Sequence, residues 1–448
     1  MKDKNVLLIG MARSGIAAAP VLKKLGAHVI LNDSKPLEQL EGLDGLKESD
    51  YEWLLGKAPD TAVDKADLIV VSPSVPLNLP YAYKAKAQGK EVIAEIELGY
   101  RLCKGLTVAI TGTNGKTTTT TLTGEIFKNA SRGCFVVGNI GEPYIAHALE
   151  AKAGDVMVTE ISSYQLEGID QFHPKAAALL NITEDHMVRH KTMENYIAAK
   201  LRVFENQTPE DFSVLNYDDE IVRGLAERIR GKVVFFSRKT PLKEGIFVEN
   251  ADIVFSFGGR REVICPADAV RIKGPHNLEN ALAASALAML CGVDAQTVAH
   301  TLKTFAGVEH RIETVCTREG ITYINDSKGT NPDSTVKAIQ TMTKPTVLIL
   351  GGYDKGGSFD MVFEAFTQQI RHTILIGDTA AKLRDTAEKY GWKNYTLIDG
   401  DFEQGVKAAR QKARAGWNVL LSPACASFDM FKDFEERGRV FKEIVNKF

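Results

Sequence analysis

Thr107-Val108-Ala109-Ile110, running straight into Thr111-Gly112-Thr113-Asn114-Gly115-Lys116-Thr117-Thr118, is the stretch on which the fold of this chain turns. The apolar opening reads as a buried strand, the small polar residues as a tight loop, and the segment after Lys116 as a helix. A loop that cradles phosphate needs small residues, so that main-chain N–H groups can approach the oxygens. It also needs a helix N-terminus for the anion, a lysine for the terminal phosphates and a hydroxyl for magnesium. Gly112, Gly115, Lys116 and Thr117 meet these requirements. The strict motif has a glycine where Ile110 stands, so this is a variant form. The competing reading is a threonine-rich cap on a helix; the strand before and the helix after favour phosphate.

The same alternation extends in both directions. Upstream, residues 6–9, 29–31, 68–71 and 92–93 read as strands, with a helix over 17–25. Downstream, residues 156–158, 177–180, 214–215 and 233–236 read as strands and 281–290 as a long alanine-rich helix. Beyond Phe305-Ala306-Gly307 the strands are 321–324, 347–350, 374–376 and 419–421. Continuous apolar strands separated by helices predict parallel sheets covered on both faces. The expected fold class is therefore α/β in three domains. These are a Rossmann-like domain over 1–97, a central P-loop-type domain with a mainly parallel sheet over 98–307, and a Rossmann-like α/β domain over 308–448. The 448 residues suit that division at roughly 150 residues per domain.

Composition narrows the function classes. Lys and Arg number 55 against 57 Asp and Glu, so net charge makes no case for nucleic acid, though a local basic pocket stays open. The longest uncharged apolar stretch, 281–293, falls short of the ~20 residues that span a bilayer, so no membrane partner is expected. Lys2 and Lys4 precede an apolar run that Arg13 soon interrupts, which reads as a strand and glycine turn rather than a secretory signal. Six scattered cysteines with no C-x-x-C pair make a disulfide framework or zinc site a poor reading and point to a reduced cytoplasm.

Several loops after strands carry chemistry-bearing residues. Gly10-Met11-Ala12-Arg13-Ser14-Gly15 approximates a dinucleotide turn, with Ala12 replacing the middle glycine and Asp33 near the expected acidic position. A diphosphate site and a merely structural turn remain equal readings there. Glu160, followed by Ser162-Ser163, and Glu184-Asp185-His186 both follow strands of the loop-bearing unit, where carboxylates could serve magnesium. Lys200, on an amphipathic helix, reads alone as an ordinary lysine with its head in water. In the third unit, 325–331, 351–357 and 422–427 are polar small-residue loops at strand ends, a plausible cleft edge. Two lysines there, on the buried side, with a serine loop would suit a small anionic substrate.

Together these residues resemble the Mur ligase family over essentially the whole chain. The variant loop from Gly112 to Thr118 is similar to the family's ATP signature. Asn139 in Gly138-Asn139-Ile140-Gly141, Glu160 with Ser162-Ser163, and Glu184-Asp185-His186 match its central-domain motifs. Asn277 and Asn280 match its adenine-side helix, and His310-Arg311 with Asn325-Asp326-Ser327-Lys328 its third-domain entry. Two positions depart. Ser74 stands where the family usually has glycine, on the uridine-side loop, and Val188 where it usually has aspartate.

The resemblance implies an ATP-dependent amide ligation, through an acyl phosphate, in peptidoglycan precursor synthesis. Gly351-Gly352 with Asp354-Lys355-Gly356, and the run from Ser422 to Asp429, point to the branch that adds D-glutamate to UDP-N-acetylmuramoyl-L-alanine. It implies Lys116, Asn139, His186 and Lys200 as catalytic residues. ATP would be held by Gly112, Thr113, Asn114, Gly115, Lys116, Thr117, Thr118, Asn277, Asn280, Arg311, Asp326 and Lys328. The UDP moiety would fall to Ser14, Gly15, Asp33, Ser34, Lys35 and Ser72, and D-glutamate to Thr330, Lys355, Ser422 and Phe428. Two magnesium ions would be served by Thr117, Glu160, His186 and a carbamylated Lys200. A cytoplasmic monomer is expected. A folylpolyglutamate synthase is disfavoured because that enzyme begins with its ATP domain. A nicotinamide-dependent dehydrogenase is disfavoured by Ala12 and by the lysine loop. A non-catalytic nucleotide-binding regulator remains as the third reading.

Overall fold

Residues 1–399 and 401–448 are described by the computed structural model. The first sheet comprises β1 (Asn5–Ile9), β2 (His28–Asp33), β3 (Glu52–Leu55), β4 (Leu68–Val71) and β5 (Glu91–Ala94), in the order β3-β2-β1-β4-β5, parallel throughout. All four residues of β4 are buried. A strand covered on both faces needs no polar alternation, which is why it reads as an unbroken apolar run. Chain order reverses at β1, which lies between β2 and β4, and the crevice beyond the carboxyl end of such a strand is where α/β sheets bind ligands.

The central sheet has nine strands: β6 (Leu106–Thr111), β7 (Cys134–Gly138), β8 (Val156–Glu160), β9 (Ala176–Leu179), β10 (Phe212–Asn216), β11 (Lys232–Ser237), β12 (Gly245–Glu249), β13 (Asp252–Phe257) and β14 (Arg260–Pro266). Their order is β14-β13-β12-β11-β10-β9-β6-β8-β7, and only the β12-β13 and β13-β14 pairs are antiparallel. Here β6 is the switch strand, flanked by β8 and β9, so the loop 112–115 opens at the ligand-binding position. β7 and the antiparallel edge β12–β14 are not among the strands expected from sequence. Burial in these edge strands is confined to short blocks, three residues in β12 and in β13 and two in the mostly exposed β14, and β13 turns into β14 through Gly258-Gly259, whose φ values are +59° and +80°.

The third sheet holds β15 (Glu313–Arg318), β16 (Ile321–Asn325), β17 (Thr346–Gly351), β18 (Ile370–Ile376), β19 (Tyr395–Leu397) and β20 (Asn418–Leu421), ordered β15-β16-β20-β17-β18-β19. Only β15 runs antiparallel to its neighbour. Separate apolar clusters pack on its two faces, one around Leu348 and Leu420, the other around Val347, Val419 and Phe441. The fold is thus three-domain α/β, with a parallel first sheet and two mixed ones. By contacts the chain parts into two compact units, Met1–Arg271 with Leu278–Phe305, and Ile272–Asn277 with Ala306–Phe448.

Candidate active site

In the first unit, β6 ends at Thr111 and the helix Lys116–Asn129 begins soon after it. Gly115 caps that helix at φ +86°, a left-handed conformation costly for other residues, and a Cβ there would lie 2.3 Å from Asn280 Oδ1. The loop is fastened from the strand beside it. Asn181 Oδ1 accepts from Asn114 N at 2.8 Å, and Asn181 Nδ2 donates to Asn114 O at 3.0 Å. Thr113 N donates to Asn181 O at 3.0 Å, and the Thr113 hydroxyl accepts from Thr183 N at 3.0 Å. Lys116 Nζ folds back onto Gly112 O and Thr113 O, at 2.9 and 2.7 Å. Thr117 and Thr118 are buried in the first helical turn. Asn280 Oδ1 also accepts from Thr119 Oγ1 at 3.3 Å, while Asn277, one turn earlier on the helix Pro275–Leu290, donates to Lys273 O.

Around this loop stand acidic and basic groups from neighbouring strands and helices. Glu160 ends β8 at 2% exposure. Its Oε1 accepts from Asn139 Nδ2 at 2.7 Å, and its Oε2 is buried with no hydrogen-bond partner among the described residues. A buried carboxylate oxygen left unpaired is costly unless another ligand satisfies it. Gly138 permits the close approach of β7 to β8, because a Cβ there would sit 2.2 Å from Glu160 O. Lys200 differs from its ordinary reading. It is 2% exposed on the helix Met193–Leu201, with Nζ donating to Gly112 O at 2.8 Å and lying 4.5 Å from the Tyr196 ring. Burial, reinforced by the charge of Lys116, holds its ammonium pKa well below the usual lysine range. His186 is exposed, with φ +57°, its Nδ1 3.1 Å from the Tyr164 hydroxyl.

Sequence reasoning passed over three residues here. Besides Asn181, these are Tyr196, whose hydroxyl lies 3.2 Å from Thr113 Oγ1, and His190, buried with Nε2 2.9 Å from Ser163 Oγ. The available signal was spacing: His186 and His190 sit one helical turn apart, as do Tyr196 and Lys200.

The turn after β1 is similarly built. Asp33 Oδ2 accepts from Met11 N at 2.8 Å and Oδ1 from Lys35 N at 2.9 Å, so this carboxylate braces two turns. The buried Ser72 hydroxyl donates to Gly10 O at 2.7 Å. Gly15 comes so close to Gly10 O that a Cβ would stand 2.1 Å away. Ser34 and Lys35 are exposed, and Ser14 faces the fully buried Glu95, whose carboxyl desolvation pushes up to about 7.

In the second unit, the loops after β16, β20 and β17 leave the same end of three parallel neighbours. Asp326 is fully buried; its Oδ2 accepts from Ser422 Oγ at 2.7 Å, and Arg311 lies 3.4 Å from Oδ1. Burial outweighs Arg311 and pushes this carboxyl up to about 6. A native pKa above the unfolded value favours the folded state at low pH. That stability is present below about 4 and is lost as pH rises through 6. Removing the carboxylate in Asp326→Asn should therefore flatten the melting-temperature profile of this unit between about pH 4 and 7. Identical pH slopes in the two proteins would contradict the burial argument. Lys328 is half-buried, Nζ 4.9 Å from the Phe434 ring, and Thr330 N bonds Lys328 O. Lys355, expected on the buried side, lies exposed on a glycine-flanked loop. Phe428 is 65% exposed and meets Tyr353 edge-on at 6.1 Å.

One unit thus holds a nucleotide-type loop, a buried carboxylate with an open oxygen and a buried lysine; the other presents three strand-end loops. Family models match the chain in three consecutive parts: a Mur ligase MurD-like N-terminal domain over residues 4–94, a Mur ligase middle domain over 110–288, and a Mur ligase glutamate ligase domain over 310–425. The chain belongs to the Mur ligase family, whose members use ATP. It is 51% identical to the UDP-N-acetylmuramoylalanine–D-glutamate ligase of Alkaliphilus oremlandii, over 99% of this chain and 98% of the relative. It is 48% identical to the enzyme of the same name from Clostridioides difficile, over 100% and 99%. Among solved structures, UDP-N-acetylmuramate-alanine ligase from Thermotoga maritima has the same fold at TM-score 0.63 and 20% identity, covering 99% of each chain. A pseudomurein peptide ligase type C from Methanothermus fervidus has it at 0.59 and 21%, covering 99% of this chain and 100% of that one.

Proposed function

We propose that this chain joins D-glutamate to UDP-N-acetylmuramoyl-L-alanine at the expense of ATP, in the cytoplasm and as a monomer, supplying a peptidoglycan precursor. The observation that carries this reading is full-length identity of 51% to a ligase of that name, supported by a glycine-lysine loop after β6 that Asn181 seats. No helix among the described residues is long and apolar enough to cross a membrane.

A carboxylate resists attack by an amine because its leaving group would be oxide. In the proposed reaction a carboxylate oxygen of the UDP-linked substrate attacks the γ-phosphorus of ATP. The bond to ADP breaks and an acyl phosphate forms. The D-glutamate nitrogen then adds to the acyl carbon, gives up a proton, and inorganic phosphate leaves. Most of the protein's work is positioning and charge neutralisation. Gly112, Thr113, Asn114 and Gly115 and the helix start at Lys116, Thr117 and Thr118 are assigned to the phosphates, with the Thr113 and Asn114 amides spent on Asn181 so that these two residues shape the loop, and Asn277 and Asn280 are assigned to the adenine side. Arg311, Asp326 and Lys328 complete the ATP assignment. Ser14, Gly15, Asp33, Ser34, Lys35 and Ser72 are assigned to the UDP moiety, Asn139 to the reacting substrate, and Thr330, Lys355, Ser422 and Phe428 to D-glutamate.

The donor set suits magnesium. Glu160 Oε2 is an orphaned buried oxygen beside Thr117's helix, and oxygen ligands with phosphates and waters are what this ion takes. Magnesium, when bound, neutralises phosphate charge. His186 and Lys200 are assigned to a second ion, with Lys200 as its carbamate. The buried neutral amine attacks the carbon of CO2 and loses a proton, replacing a cation that would repel metal with a carboxylate.

The test is ADP release with UDP-N-acetylmuramoyl-L-alanine, scanned across amino acids. D-Glutamate should exceed L-glutamate and lysine by about tenfold or more, lysine because its cationic side chain would meet the like charge of Lys355. Equal turnover with lysine or diaminopimelate would move the chain to another branch of the family.

A further inference from the structure

Arg437 lies in the first turn of the helix Phe434–Asn446 and is 2% exposed. A buried cation ordinarily sits against an anion. This one instead spends its N–H groups on neutral acceptors. Nε donates to Ser327 Oγ at 2.9 Å. One terminal nitrogen donates to Ser327 O at 2.8 Å and Cys425 O at 3.1 Å, and the other to Ala426 O at 3.1 Å. Four of the five N–H groups of a guanidinium are thus used. The Ser327 hydroxyl donates its own proton to Phe434 O at 2.8 Å, so it can only accept from Arg437. Burial lowers the guanidinium to about 10, which leaves it cationic at neutral pH.

The acceptors come from different loops. Ser327 follows β16, while Cys425 and Ala426 follow β20. Ala426 O also accepts from Tyr353 N at 3.0 Å, on the loop after β17, and a Cβ on Gly352 would stand 3.1 Å from the same terminal nitrogen of Arg437. One planar fork therefore fastens the loops after two neighbouring strands, β16 and β20, and Ala426 O extends the tie to the loop after β17 through Tyr353 N. A lysine has a single nitrogen and cannot reach carbonyls spread around a plane. An apolar residue would take a donor from all three carbonyls, leaving Ala426 O only its bond from Tyr353 N.

We propose that Arg437 is a positioning residue for the ligation: it sets the loops carrying Lys328, Thr330, Ser422 and Lys355 relative to one another, and through them the affinity for the amino acid and ATP. This rests on the proposed function, with those loops serving D-glutamate and ATP while the first sheet serves the UDP-linked substrate. The test is steady-state kinetics of full-length Arg437→Lys and the milder Ser327→Ala, assayed well below their melting temperatures. Arg437→Lys should raise the KM for D-glutamate about tenfold or more, with a smaller rise for ATP, and leave the KM for the UDP-linked substrate within about twofold. Ser327→Ala should shift the same two constants by about threefold, which serves if the arginine variant does not fold. A lower melting temperature with all three constants unchanged, or an equal rise in all three, would overturn the proposal. Wild-type protein that releases no ADP with D-glutamate would refute the functional reading instead, before any variant is made.

Discussion

Lys116→Ala is expected to lower kcat by about 10²–10³-fold while moving the melting temperature by no more than about 2 °C. The reasoning is local. Lys116 Nζ donates to carbonyls of its own loop, Gly112 O and Thr113 O. It fills no apolar core, so its loss leaves no large cavity. In the reaction, however, its charge would face phosphate oxygens, and a charge-assisted contact in a water-poor site is worth far more than one in solvent. Nucleotide binding by calorimetry and turnover by ADP release should fall together. Near-normal turnover would show that the loop after β6 does not hold the nucleotide.

Lys200→Ala should be nearly as damaging, with a different signature. The wild-type amine is buried against Gly112 O, and burial lowers its pKa well below the usual lysine range, which favours the neutral, nucleophilic form. Carbamylation needs that neutral form. Alanine leaves space where the carbamate would stand, so added acetate or formate should recover part of an approximately 10²-fold loss. Carbon-13 NMR under labelled bicarbonate should show a carbamate signal in the wild type that is missing from the variant. Full activity without added carboxylate, or an unchanged spectrum, would reject the modified lysine.

The parallel strands were legible because burial on both faces writes them as unbroken apolar runs: Val6 to Ile9, Leu68 to Val71, Val347 to Leu350. The edge hairpins of the central sheet were not, since β14 opens on the charged run Arg260-Arg261-Glu262 and β13 buries only three residues, between polar neighbours. Among candidate site residues, the strand, tight loop and helix around 112–118 could be read because an apolar run, two glycines and a following helix former dictate that local structure. Lys200 could not be read from its helix, since the same pattern describes a lysine reaching water. Only the fold buries it under Gly112. Arg437 was invisible for a related reason: a cation near a chain's polar end reads as surface, and its acceptors lie eleven to 110 residues away. Asn181 stands shortly before Glu184-Asp185-His186, yet its task of bracketing Asn114 in both directions exists only once β9 and β6 are neighbours.

The glycines of the loop after β6, if it holds the nucleotide as proposed, also bear on how this enzyme could evolve under a drug. A nucleotide-competitive compound that took its hydrogen bonds from the main-chain amides of the loop would rely on donors that only a proline substitution removes. At Gly115 any side chain begins 2.3 Å from Asn280 Oδ1, with φ at +86°, and at Gly112 it begins 3.1 Å from Leu180 Cβ, with φ at +148°. Resistance by reshaping those positions would wreck the loop along with the binding site. Escape would have to come from side chains outside the loop that the reaction does not need, or from raising the amount of enzyme, and compounds that touch only the loop would leave few viable routes.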